Sequence, residues 1–158
     1  IGRNANQFQT FIGIPDLLRG YTSGSFGNHE CFNVSDANTL TGCNALDRLI
    51  GAQIAVGSAE LRFPILNNRI IRKLPSAIPP LEGAIFYDLG LAWNQGNTVK
   101  WSRDTGDDPL SVRTPLKSWG ASLRTNLFGF VVVRLDYSRP LDRDGVKSLW
   151  TLSLGPVF

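Results

Sequence analysis

Leu149-Trp150-Thr151-Leu152-Ser153-Leu154-Gly155-Pro156-Val157-Phe158 is the stretch whose period decides the fold. Trp150, Leu152, Leu154 and Phe158 share one parity and are apolar, while Thr151, Ser153 and Gly155 between them are small or polar. A two-residue period belongs to a strand with one face on something oily and the other on something wet. Termini of soluble proteins usually fray in water. An amphipathic strand closing on Phe158 therefore predicts the C-terminal part of an outer-membrane β-barrel.

Working outward, the rest of the chain repeats this pattern. Residues 81–93 give the clearest strand, with Ile85, Tyr87, Leu89, Leu91 and Trp93 on one face and Glu82, Ala84, Phe86, Asp88, Gly90 and Ala92 on the other. Residues 118–128 and 130–139 alternate likewise, around a tight turn at Gly129. Residues 52–65 predict a further strand, and residues 6–14 the end of an earlier one. In the 52–65 strand Ile54 and Val56 share parity with Glu60 and Arg62, so either a bulge or a partly apolar polar-side face is required. The connections alternate in length, with polar loops over 16–47 and 94–117, a Pro-rich link over 67–80 and short turns later. Long loops outside and short turns on the periplasmic side are the habit of outer-membrane barrels. Glu60, Arg62, Asp88, Arg124, Arg134 and Asp136 all oppose the apolar rows. They would line a polar lumen in a barrel, or face solvent in a β-sandwich.

Composition agrees. The 16 Gly and 9 Pro among 158 residues fit a turn-rich β protein. No apolar run approaches the roughly 20 residues of a membrane helix, but a transmembrane strand needs only about 10 alternating ones. The net charge of +3 is scattered, which gives no case for nucleic acid. The chain begins at Ile1 and has no Met, which reads as a processed product or a fragment lacking N-terminal strands and any periplasmic domain. Cys31 and Cys43 stand in an Asn-, Ser- and Thr-rich loop without a second metal-ligand pair. A loop disulfide, and with it an oxidising compartment, is the expectation.

The ordered motifs carry a resemblance. Leu18-Arg19-Gly20-Tyr21 opens the long loop, and Glu60-Leu61-Arg62-Phe63-Pro64 ends the next strand. Phe86-Tyr87-Asp88-Leu89-Gly90, Leu123-Arg124-Thr125-Asn126 and Arg134-Leu135-Asp136-Tyr137-Ser138-Arg139-Pro140 follow. Over nearly the whole chain this resembles the C-terminal barrel region of the bacterial surface antigen family, the BamA/TamA-type outer-membrane assembly barrels. The resemblance implies an all-β fold, with five to six strands here out of a barrel of about sixteen. It implies a loop folded into the lumen, its tip Arg19, Gly20 and Tyr21 held by Glu60 and Asp88 beside Phe86. A guanidinium in a protein-lined lumen needs carboxylate partners, and its planar fork serves two. Trp150, Leu152, Leu154 and Phe158 match the family's C-terminal assembly signal, from which Pro156 departs by removing a ladder donor and loosening the last strand.

The implied location is the bacterial outer membrane. The implied role is insertion or translocation of proteins there, with lipid, unfolded barrel proteins or an assembly complex as partners. Two other readings stay open: a barrel that anchors or forms a pore for an N-terminal domain such as a propeller, and a secreted soluble β-sandwich. Enzymatic candidates are thin. His29 stands two residues from Cys31, and Asp104, Asp107 and Asp108 lack the frame of a calcium loop. No catalytic residue, metal or cofactor is expected.

Overall fold

The computed structural model describes residues 8–31, 43–66, 79–102, 104, 107, 111–127, 129–143 and 145–156. Nine strands occur among them: β1 (Thr10–Phe11), β2 (Ile50–Gly51), β3 (Gln53–Leu66), β4 (Leu81–Trp93), β5 (Thr98–Val99), β6 (Val112–Arg113), β7 (Leu116–Leu127), β8 (Val131–Pro140) and β9 (Leu149–Pro156). Short helices α1 (Asn28–Cys31) and α2 (Asn44–Asp47) lie within the first loop. None of the described helices is long and apolar enough to cross a membrane, which says nothing about strands.

The long strands form one five-stranded antiparallel sheet in the order β3-β4-β7-β8-β9. Each pairs with its neighbour in sequence among the long strands, as a meander should. The fold is therefore all-β, and among the described residues the sheet does not close: β3 and β9 are its edges. No second sheet packs across it among the described residues, because the only other sheets are the two-stranded pairs β1-β2 and β5-β6. Among the described residues, then, the second layer that a sandwich needs does not appear.

The register fixes the two faces. Glu60 pairs with Phe86, Ser58 with Asp88, Asp88 with Ser118 and Phe86 with Gly120. Ser122 pairs with Asp136 and, in β9, Thr151 with Asp136 and Ser153 with Arg134. All these belong to one parity, which we call the inner face. The opposite, outer face carries Leu61, Ile85, Tyr87, Trp119, Leu123, Trp150, Leu152 and Leu154, each more than 40% exposed. Tyr137 and Trp150 meet there, with ring centroids 5.0 Å apart.

The β3 register runs unbroken from Gln53 to Pro64, and the one irregularity falls between Pro64 and Leu66. Ile54 and Val56 thus lie on the inner face without a bulge, which is partly apolar at that end. Next to them Ile12, Leu18, Tyr21 and Leu49 pack on Ala92 of β4 and Leu116 of β7 as the buried cluster, while Ile54 and Val56 on the edge strand stay exposed. A Cβ on Gly90 would stand 2.9 Å from Leu18 Cδ2, so the glycine admits that side chain.

Three expectations need correcting. The predicted strand over 6–14 shrinks to Thr10–Phe11, paired with Ile50–Gly51, and residues 1–7 lie outside the described set. Ile12 is fully buried in the apolar cluster, and its N–H still donates to the Leu49 carbonyl at 3.0 Å. The loop over 94–117 is not featureless: β5 and β6 pair in parallel within it. The terminal strand is not loose on its β8 side, where it pairs continuously from Leu149 to Pro156. Pro156 occupies the last pair among the described residues, opposite Val131.

Candidate functional site

The inner face is built around one arginine. Arg19 sits in the turn after Leu18 and is 8% exposed. Its Nε donates to Asp88 Oδ2 at 2.7 Å and its Nη2 to Asp88 Oδ1 at 2.8 Å, a bidentate fork on one carboxylate. Its backbone N–H also donates to Asp88 Oδ2, at 3.3 Å. Nη1 donates to Glu60 Oε2 at 2.8 Å, and Nη2 also reaches Ser58 Oγ at 3.2 Å. Ser58 Oγ in turn donates to Asp88 Oδ1 at 2.6 Å. The guanidinium carbon lies 3.5 Å from the centroid of the Phe86 ring, a cation–π contact.

Strand geometry explains the placement. Phe86 and Asp88 are two apart on β4 and share its inner face, while Ser58 and Glu60 hold the paired positions on β3. Three hydrogen-bonding partners and one ring therefore converge on a single point from two strands. Gly120, opposite Phe86, leaves the space the ring fills: a Cβ there would lie 2.7 Å from Phe86 Cζ and would also strike the Tyr137 carbonyl.

Gly20 takes a φ of +88°, which favours glycine, and turns the chain beside Ser138 and Pro140. Tyr21 follows, 1% exposed. Its hydroxyl donates to the Lys117 carbonyl at 2.9 Å and accepts from the Asp142 N–H at 3.2 Å. Burial, helped by nearby Asp142, pushes that hydroxyl well above the ordinary phenol range, so it stays a donor.

A fixed guanidinium on paired carboxylates holds a loop to a wall. It offers no nucleophile or proton relay. Cys31 and Cys43 are joined in a disulfide, so Cys31 has no thiol to pair with His29. Asp104 and Asp107 both accept from Lys100 Nζ, at 3.2 and 2.7 Å, and these hydrogen bonds raise the ammonium pKa. Asp108 lies outside the described residues.

Compared with known families, residues 7–152 match the Omp85 superfamily domain, which takes in β3, β4, β7, β8, the first half of β9 and the whole Arg19 clasp. The chain belongs to the Omp85 superfamily. This is a family of outer-membrane proteins of bacteria and organelles that insert or translocate proteins, generally without enzymatic activity. Outer envelope protein 80, chloroplastic, of Arabidopsis thaliana is 32% identical over 83 residues, covering 52% of this chain and 10% of that protein. The chain thus spans about a tenth of that relative's length. No solved structure matches it.

Within this Omp85 domain the structure brings together Arg19, Glu60, Phe86 and Asp88, with Gly20 and Tyr21 beside them. Trp150, Leu152 and Leu154 line the outer face of β9, apart from the clasp, and Phe158 lies outside the described residues. Sequence reasoning missed several members. Ser58 shares parity with Glu60, which was signal enough. Ser122, whose hydroxyl donates to Asp136 Oδ1, also sits on the polar parity. Arg143 and Glu30, ion-paired at 2.7 Å, carry no such signal, because both stand in loops without a period.

Proposed function

We propose that the chain is the C-terminal part of a BamA/TamA-type barrel domain in a bacterial outer membrane, acting in insertion or translocation of proteins. The observation that carries this is the buried Arg19 clasp, which ties a long loop to the inner wall of two adjacent strands. In this reading Arg19, Gly20 and Tyr21 are the lumen tip, Glu60, Phe86 and Asp88 its receptor, and the outer row of β9 the assembly signal. The exposed apolar face meets lipid, and β9 stands at the barrel seam, where an incoming strand of an unfolded barrel protein pairs by β-augmentation. The disulfide supports a bacterial surface, since such bonds persist in oxidising compartments.

The test is Arg19→Ala in the full-length protein. Loss of one partner of a buried pair costs about 3–5 kcal/mol. The expected result is a lower temperature for loss of the compact, heat-modifiable gel band, together with impaired assembly of other barrel proteins. Unimpaired assembly at full expression would favour a barrel that serves only as an anchor or pore.

A further inference from the structure

A second arginine reaches the tip from the opposite end of the chain. Arg143 lies in the turn between β8 and β9, and its side chain is 1% exposed against 3% for its partner Glu30. Nε donates to Glu30 Oε1 at 2.9 Å and Nη2 to Glu30 Oε2 at 2.7 Å. Nη2 also reaches the Ser25 carbonyl at 2.9 Å, and Nη1 donates to Ser25 Oγ at 2.8 Å. The remaining bond decides the matter: Nη1 donates to the Gly20 carbonyl at 2.8 Å. The guanidinium carbon stacks 3.9 Å from the Phe26 ring centroid.

Gly20 is the residue whose left-handed turn follows Arg19. Arg143 thus holds the Gly20–Tyr21 peptide, directly after the residue whose guanidinium Asp88 receives. Its own turn is anchored to β7: the Leu141 N–H donates to the Lys117 carbonyl at 2.9 Å, and the Lys117 N–H to Asp142 Oδ2 at 2.8 Å. Tyr21 bridges the same two segments. Tip, β7 start and β8–β9 turn form one hydrogen-bonded unit, and Arg143 reaches Gly20 only while that turn is seated.

We propose that Arg143 is a positioning residue for the Arg19 clasp, coupling the seating of the β8–β9 hairpin to closure of the tip. A tip clamped only once the hairpin has docked reports on the state of β9, the strand assigned above to the seam; in that respect the inference rests on the proposed function. Its physical content is narrower. Loss of the Arg143 fork should free Arg19 without unfolding the sheet.

The experiment uses full-length protein in detergent, wild type and Arg143→Lys, treated with phenylglyoxal and read residue by residue by mass spectrometry. Lysine keeps a charge for Glu30 but cannot span Glu30, Ser25 and Gly20 together. Modification of Arg19 should rise about tenfold or more, the scale of a lost charge-assisted hydrogen bond, while heat-modifiability is retained. Arg19 labelling equal to wild type in a folded Arg143→Lys protein overturns the proposal. Should that variant not fold, Glu30→Gln makes the same test, because the amide keeps the side chain's size but offers one acceptor where the guanidinium uses two, so the fork is broken. Coupling that persists while Arg19→Ala assembles clients normally overturns the proposed function and leaves this inference standing. No coupling beside a strict requirement for Arg19 does the reverse.

Discussion

The two carboxylates that hold Arg19 are not equivalent. Asp88 is 1% exposed and accepts from Nε, Nη2, the Arg19 backbone and Ser58. Glu60 accepts from one guanidinium nitrogen and shares its other oxygen with Arg62, which is exposed. Charges removed from water interact more strongly and lose more when a partner goes. Asp88→Asn should therefore cost about 3 kcal/mol. Glu60→Gln, screened by solvent, should cost about 1 kcal/mol or less. Melting midpoints from heat-modifiability give the order, and a larger loss for Glu60→Gln would refute the assignment of Asp88 as the main anchor. This hierarchy was half legible in the sequence. Parity put Glu60 and Asp88 on one face, and the resemblance named them. What parity cannot give is depth, since that depends on Leu18 and Ile12 covering one stretch of the inner face and not the other.

At the level of elements, strands were readable where one face is apolar and the other polar. That is why β4, β7, β8 and β9 emerged with ends within two or three residues. β1 was overcalled because Ile12 alternates like a strand residue but is buried in the loop cluster. β5 and β6 were missed because a two-residue parallel pair inside a polar loop has no period to detect. The long first loop is held less by its own elements than by its fastenings: the Arg19 clasp, the Arg143–Glu30 pair and the Cys31–Cys43 bond. The disulfide spans 12 residues of sequence and follows directly on Glu30, so it limits how far the Arg143 partner can stray. A crosslink of that span is worth about 3 kcal/mol in the loop-entropy account. Reduction should leave the sheet register intact and loosen the loop. Hydrogen exchange would show faster exchange at the Gly27-bonded Glu30 amide and unchanged protection along β4. Equal acceleration in β4 would mean the loop and sheet unfold as one unit.

The molecule as a whole is a sheet with one face filled and one face bare. The inner face receives the first loop, its apolar cluster and its buried ion pairs. The outer face offers Leu61, Ile85, Tyr87, Trp119, Trp150, Leu152 and Leu154 in a continuous exposed field, with nothing in the described chain to cover it. Contiguous apolar patches of this kind on a soluble protein lead to association. Among the described residues β3 and β9 are the sheet's edges, each with one side that pairs with no further strand, which hydrocarbon cannot tolerate. Both features call for the same partners: lipid against the outer row and further strands against the edges. The 158-residue chain on its own, refolded in detergent-free buffer, should therefore aggregate instead of giving a monomer with ordered near-ultraviolet circular dichroism. The full-length protein should give that signal in micelles and lose it as detergent is removed. A monomeric, cooperatively melting 158-residue domain in plain buffer would show that the outer row folds inward onto something else, and the lipid-facing assignment would fall with it.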